Sequence, residues 1–126
     1  MALLEPDLLP ITSLESLRDR LRVFAKERDW DQYHNPKNLS MALIAEAAEL
    51  VEHFQWVAGD TSHLLEGKTR QAVEEELADI LIYLVRISDK LAIDLYQAVE
   101  CKIAINEKKY PADKVRGSAK KYTEYE

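Results

Sequence analysis

The chain reads as an all-α protein, a four-helix bundle completed by oligomerisation. Three observations predict this. Glycine and proline are scarce, three and four in 126 residues, and they fall near the ends or between apolar stretches. Apolar residues recur at a helical period in successive stretches. Helix-capping signals stand just before several of those stretches.

Residues 1–11, with Pro6 and Pro10, read as an irregular leader. Thr12 with Glu15 forms a capping box that opens helix one, whose stripe is Leu14, Leu17, Leu21 and Phe24 and which fades near Asp29. Residues 30–37 form a loop with two aromatics, His34 and the Asn35-Pro36 turn signal. Helix two spans 39–57, capped by Asn38 and ended by Gly59, with Leu39, Leu43, Ala47, Leu50 and Phe54 on one face. A polar connection over 60–68 leads to helix three, 70–91, capped by Thr69. Asp94 and Gln97 open helix four, 95–109, which Pro111 stops. Residues 112–126 are a tail without a clear period.

Helix three is apolar on more than one side. Val73, Leu77, Ile80, Leu84 and Ile87 make one stripe, while Leu81, Ile82 and Val85 face elsewhere. Four short helices do not bury such a helix completely, so Ile82 or Val85 is expected against a second subunit.

At 126 residues this is one domain, 1–126, with a modest core. A formal net charge of −6 argues against binding a nucleic-acid polymer, which needs a basic surface. It leaves room for a phosphate ligand, because a bound metal inverts the local sign. The single cysteine, Cys101, reads as a small hydrophobe on helix four and fits a reducing cytoplasm. The N-terminus lacks a signal-peptide pattern, and the longest apolar run, 80–85, is too short to span a membrane.

The chemistry concentrates in two acidic pairs. Glu46 and Glu49 lie three apart on helix two, and Glu76 and Asp79 lie three apart on helix three, with Tyr83 continuing the second stripe. Glu46 falls in line with Leu39, Leu43 and Leu50, on the face expected to be buried. Buried carboxylates need a counter-charge or a metal. Two readings follow: the four hold a hard divalent metal, or Arg70, Arg86 or a nearby lysine neutralises them. Oxygen ligands suit magnesium, with manganese as a substitute, and magnesium implies substrate phosphates. A di-iron site would need Glu-x-x-His, and the equivalent positions offer no histidine. His53 reads as a helix-edge residue, and His63 has no assigned role.

Lys102, Asn106 and Lys109 share a stripe of helix four and are candidates for contacting a phosphate tail, against the alternative of a solvated face. Arg116, Lys120 and Lys121 offer a tail that closes over phosphates, or a solvated end. Trp30 and Trp56 are candidates for stacking a base, against ordinary core packing.

Several stretches together carry a resemblance: Phe24-Ala-Lys-Glu-Arg-Asp-Trp30, His34-x-Pro36-x-Asn38-Leu39, Glu46-x-x-Glu49-Leu50, Phe54-Gln55-Trp56, Glu75-Glu76-Leu77-x-Asp79-x-Leu81-Ile82-Tyr83-Leu84, Lys102-x-x-x-Asn106-x-x-x-Tyr110-Pro111 and Arg116-Gly117-Ser118-Ala119-x-Lys121-Tyr122-Thr123. The chain resembles the MazG-like all-α nucleoside triphosphate pyrophosphohydrolases, most of all their dCTP pyrophosphatase branch, over residues 12–123. The resemblance implies hydrolysis of a nucleoside triphosphate to monophosphate and pyrophosphate with magnesium, in nucleotide-pool house-cleaning. It implies metal on Glu46, Glu49, Glu76 and Asp79. It implies base and sugar contacts from Trp30, Asp31 and His34, from Trp56 and from Tyr83. It also implies a homo-oligomer, a dimer of dimers. Leu21 departs from some close relatives, which carry a histidine there, and the connection from Trp56 to Glu76 is shorter. The alternatives to an enzyme are a helical regulator that keeps the fold without the chemistry, and a sensor that holds the nucleotide uncleaved.

Overall fold

A computed structural model describes residues 10–119 and 122–124. Its secondary structure is helical throughout the described residues: α1 (Leu14–Glu27), α2 (Pro36–Glu52), α3 (Gly67–Lys90), α4 (Leu95–Lys109) and the short α5 (Ala112–Val115), with 3-10 turns at Asp31–Tyr33, Gly59–Thr61 and Tyr122–Glu124. None of these helices is long and apolar enough to cross a membrane. Lys120 and Lys121, candidates for closing over phosphates, lie outside the described residues. The chain forms two compact units, Met1–Ala92 and Ile93–Glu126.

Each helix starts where a side chain meets the free N–H groups of its first turn. Ser13 and Ser16 make the capping box of α1, one residue later than Thr12. Asn35 caps α2 by accepting from the Asn38 N–H, with Pro36 as the first helical residue. The expected cap, Asn38, is therefore inside the helix, where its side-chain amide donates to the Tyr33 carbonyl. α3 starts at Gly67, two residues ahead of the Thr69 cap that the sequence suggests. Gly67 takes φ 56°, a conformation that favours glycine. Asp94 caps α4 through the Gln97 N–H, as the sequence predicts.

In the first unit, α2 packs along α3, and α1 packs on α3. Leu17 and Ala25 of α1, Leu39 of α2, and Val73 and Val85 of α3 make the buried apolar core of the described residues. The α2 stripe runs inward as expected, with Leu43, Ala47, Leu50 and Phe54 half-buried beside Leu39. Two expectations for α3 change. Val85 is buried within its own chain, and Ile82 is half-buried at the wall of a cavity. The apolar residues α3 leaves exposed are instead Leu77, Leu81 and Leu84. They follow an i, i+4, i+7 pattern, so they form one continuous face. In the second unit, α4 buries no residue fully, and Cys101 is exposed rather than packed as a small hydrophobe.

Candidate functional site

The α2–α3 contact brings acidic residues of both helices together. Ligand oxygens of Glu46, Glu49 and Glu76 all lie within 4.8 Å of one another. Asp79, one turn further along α3, is not part of that triple; it stands at the wall of the adjoining cavity. Burial raises the Glu46 carboxyl above the ordinary carboxylate range. A hydrogen bond with Glu49 and the negative charges of Glu49, Asp79 and Glu76 push it the same way. The Tyr83 hydroxyl is also raised, by burial first and then by the charges of Glu46 and Asp79.

Arg70 pairs with Glu74 at 3.3 Å, and Arg86 pairs with Asp31 and Asp89. Among the described residues, no lysine or arginine forms an ion pair with Glu46, Glu49, Glu76 or Asp79. The one partner present is His53, whose Nε2 lies 2.6 Å from Glu76 Oε2. His53 caps the end of α2, so the residue expected at a helix edge reaches across to α3 and fixes how Glu76 is held. Three converging carboxylates without a lysine or arginine partner, with the Glu46 carboxyl raised by burial and by its acidic neighbours, suit a hard divalent metal.

Beside this cluster lies a cavity of about 310 Å³. Leu21, Phe24, Trp30 and Ile82 supply its apolar wall. Asp79, Tyr83, His34 and Arg86 supply its polar groups. Phe24 sits on the α1 stripe yet remains largely exposed, because it faces this cavity and meets Trp30 edge-on at 5.7 Å. A left-handed Asp29, φ 54°, reverses the chain after α1 and delivers Trp30 to that position.

The polar end of the cavity is held by a charge network. Arg86 is 2 % exposed. Its Nη2 donates to Asp31 at 2.8 Å, and its Nε donates to His34 Nδ1 at 3.3 Å. Asp31 also accepts from Lys90 at 2.6 Å, and Arg22 of α1 donates to Asp89 at 2.8 Å. Lys90 and Arg86 hold the Asp31 carboxyl below its usual range. Burial, and then the Arg86 charge, lower the His34 imidazole. Asp31 thereby ties the Trp30 loop to α3.

Trp56 is 89 % exposed, in the turn after α2, and does not line the cavity. Lys102 and Asn106 are exposed and Lys109 half-buried, all on α4 of the second unit. The sequence reading did not anticipate His53 or the Arg22–Asp89–Arg86–Asp31–Lys90 chain. The available signal was Arg86 itself, a charge set between Val85 and Ile87 in an apolar run.

The MazG-like family model matches residues 42–125. The chain is 46% identical over 114 residues to dCTP pyrophosphatase 1 of Bos taurus, covering 89% of this chain and 68% of that protein. It is 45% identical over 118 residues to dCTP pyrophosphatase 1 of Homo sapiens, covering 91% of this chain and 69% of that one. Among solved structures, a pyrophosphatase from Archaeoglobus fulgidus superposes with a TM-score of 0.73 at 41% identity, over 82% of this chain and 96% of that one. With the helical fold and the carboxylates of α2 and α3, these matches show that the chain belongs to the MazG-like family.

Proposed function

We propose that this protein is a nucleoside triphosphate pyrophosphohydrolase of nucleotide-pool house-cleaning in the cytoplasm. It converts a deoxynucleoside triphosphate, dCTP or a modified pyrimidine relative, to monophosphate and pyrophosphate. The observation that carries this reading is an acidic cluster with no lysine or arginine partner among the described residues, beside an aromatic-walled cavity. Relatives named dCTP pyrophosphatase 1 support the substrate class.

Glu46, Glu49 and Glu76 would hold magnesium, or manganese in its place, with Asp79 one turn away on α3. Magnesium supplies two things when bound: it polarises phosphoryl oxygens and makes a water more acidic. By themselves the four carboxylates repel a triphosphate, so the chain's negative field makes binding conditional on a cation. Phe24, Trp30, Leu21 and Ile82 exclude water from the base end and fix the nucleotide relative to the acidic cluster. Lys102, Asn106 and Lys109 are assigned to the phosphate tail. Incubation with dCTP and magnesium should release monophosphate and pyrophosphate, resolved by anion-exchange chromatography. Diphosphate plus orthophosphate would mean attack at the γ-phosphorus and would sink this reading.

The assembly is proposed to be a homo-oligomer, a dimer of dimers. Its support is the exposed Leu77, Leu81 and Leu84 face, together with an exposed Trp56 that a second copy would carry toward a base site. Leu81→Glu should convert the wild-type oligomer to a smaller species in sedimentation velocity while helicity is retained, since Leu81 is exposed within one chain. Wild-type protein that sediments as a monomer at micromolar concentration would contradict it.

A further inference from the structure

The segment between α1 and α2 carries one wall of the cavity, yet it is barely buried. Every residue from 28 to 35 is exposed except His34, which is half-buried. Trp30 and Ile82 of α3 both line the cavity, so the space that apolar packing would fill is open there. Among the described residues, each hydrogen bond and ion pair from this segment to α3 runs through Arg86 or Lys90. Arg86 Nη2 and Lys90 Nζ donate to the same oxygen, Asp31 Oδ1, at 2.8 and 2.6 Å. We propose that Arg86 and Lys90 are positioning residues for the nucleotide site: acting through Asp31, their charges hold the 28–35 segment against α3 and set what fraction of the protein has its cavity wall in place to bind. This rests on the reading that the cavity holds the base.

Arg86 acts at one remove from any ligand. It borders the cavity, but its side chain is buried and all three of its nitrogens are engaged: Nη2 by Asp31, Nε by His34 Nδ1 at 3.3 Å, and Nη1 by Asp89 at 3.5 Å. A buried cation needs carboxylate neighbours. Asp89 comes from its own helix, one turn on, and Asp31 comes from the segment. Swinging the segment away therefore takes from Arg86 the closer of these two carboxylates. Lys90 lies outside the cavity lining and supports the same oxygen. The two cations hold the Asp31 carboxyl below its usual range, which is the same coupling seen from the carboxylate.

The ends of the segment are fixed independently of α3. The Trp30 N–H donates to the Ala25 carbonyl of α1 at 2.9 Å, and the Asn38 side-chain amide of α2 donates to the Tyr33 carbonyl at 2.9 Å. Asp31 stands between those anchors, so loosening its contacts frees the segment from α3 without unfolding α1 or α2. Asp31 is exposed and Lys90 only partly covered, so their pair is of modest strength and weakened by salt. When only a fraction of the protein is competent to bind, the apparent dissociation constant rises in proportion. A few charge contacts on α3, none of them made to the nucleotide, thereby set its affinity.

The test uses substitutions at the exposed end of the network, which spare the buried Arg86. Asp31→Ala removes a negative charge and Lys90→Gln a positive one, so a general field effect on an anionic nucleotide would move KM in opposite directions. Positioning predicts the same direction: KM for dCTP should rise about fivefold in each, the scale of one partly solvated charge pair. At saturating dCTP and magnesium, kcat should stay within about twofold of wild type, since the acidic cluster is untouched. The double variant should match Asp31→Ala alone, because Lys90 then lacks the carboxylate it holds. Asp31→Glu should restore most of the wild-type KM. In the substrate-free protein, hydrogen exchange read by mass spectrometry should speed up about fivefold over residues 28–35 in both single variants and stay unchanged in α4. Added sodium chloride should speed that exchange in wild type and not in Asp31→Ala. Opposite KM shifts, an additive double variant, a KM that rises in Asp31→Ala alone, or unchanged exchange in both single variants overturns the proposal. A non-hydrolysable dCTP analogue should slow exchange over 28–35 in wild type; no protection there would overturn the base-site reading, and the positioning role with it, whatever the variants show.

Discussion

In chelator, the Asp79→Asn and Glu46→Gln proteins are expected to melt at or above the wild-type temperature, yet to lose hydrolysis by about three orders of magnitude or more. The activity loss follows from removing ligand charge where several kcal/mol of transition-state stabilisation is concentrated. The stability direction follows from repulsion. Two like charges roughly 5 Å apart at an effective dielectric near 20 cost on the order of 3 kcal/mol before solvent screening reduces it. The raised Glu46 carboxyl carries the sign: the fold favours its protonated form, so ionising it opposes folding above its unfolded pKa. A glutamine at 46 removes that cost. Adding magnesium or manganese should raise the wild-type melting temperature by mass action and raise the variants less. A cluster held by ion pairs predicts the reverse, because stranding one member of a buried pair costs about 3–5 kcal/mol. Thermal melts with and without metal decide it, and a large drop for Asp79→Asn in chelator would rule out the metal cluster as drawn.

Replacing Trp30 with alanine is expected to damage nucleotide binding far more than folding. Trp30 is 46 % exposed, and its main-chain N–H bond to the Ala25 carbonyl does not depend on the indole. A stacked base contributes roughly 1–3 kcal/mol, which corresponds to a loss of about 5- to 150-fold in affinity. A buried tryptophan would instead cost about 3–5 kcal/mol of stability on truncation. Titration with a non-hydrolysable nucleotide, beside a thermal melt of the same variant, separates the two. Unfolding that accounts for all the lost affinity would return Trp30 to the core.

What could be read from the sequence was what repeats at a helical period or caps a helix. The α2 face from Leu39 to Phe54 and the start of α4 at Asp94 follow directly from residue order. The inward line of Glu46 with Leu43 and Leu50 points a carboxylate toward the α2–α3 contact. Caps that differ by a few residues show competing side chains: Ser13 outdoes Thr12, and Asn35 outdoes Asn38 because Pro36 fixes the first helical turn. Long-range polar partners were not legible. Arg86 was visible as a misplaced charge, but its choice of Asp31 and His34 over the acidic cluster depends on the turn at Asp29 that folds the loop back. The same holds for His53, whose reach to Glu76 depends on α2 ending at Glu52 instead of continuing to residue 57. Periodicity also could not tell Val85, buried in its own chain, from Leu81, left exposed.

The alternating ladder Arg22–Asp89–Arg86–Asp31–Lys90 also shapes how this sequence can drift. Its middle rung is a buried cation with carboxylates on both sides, so losing Asp89 leaves Arg86 with the surface Asp31 as its one carboxylate partner among the described residues. Losing Arg86 leaves Asp31 to Lys90 and Asp89 to Arg22, the two outer cations of the ladder. Either single step passes through a weaker protein, while a joint exchange of positions 86 and 89 for apolar residues avoids the penalty. Descendants of this chain should therefore change those two positions as a pair, and the free energies of the two single variants should sum to more destabilisation than the double variant shows.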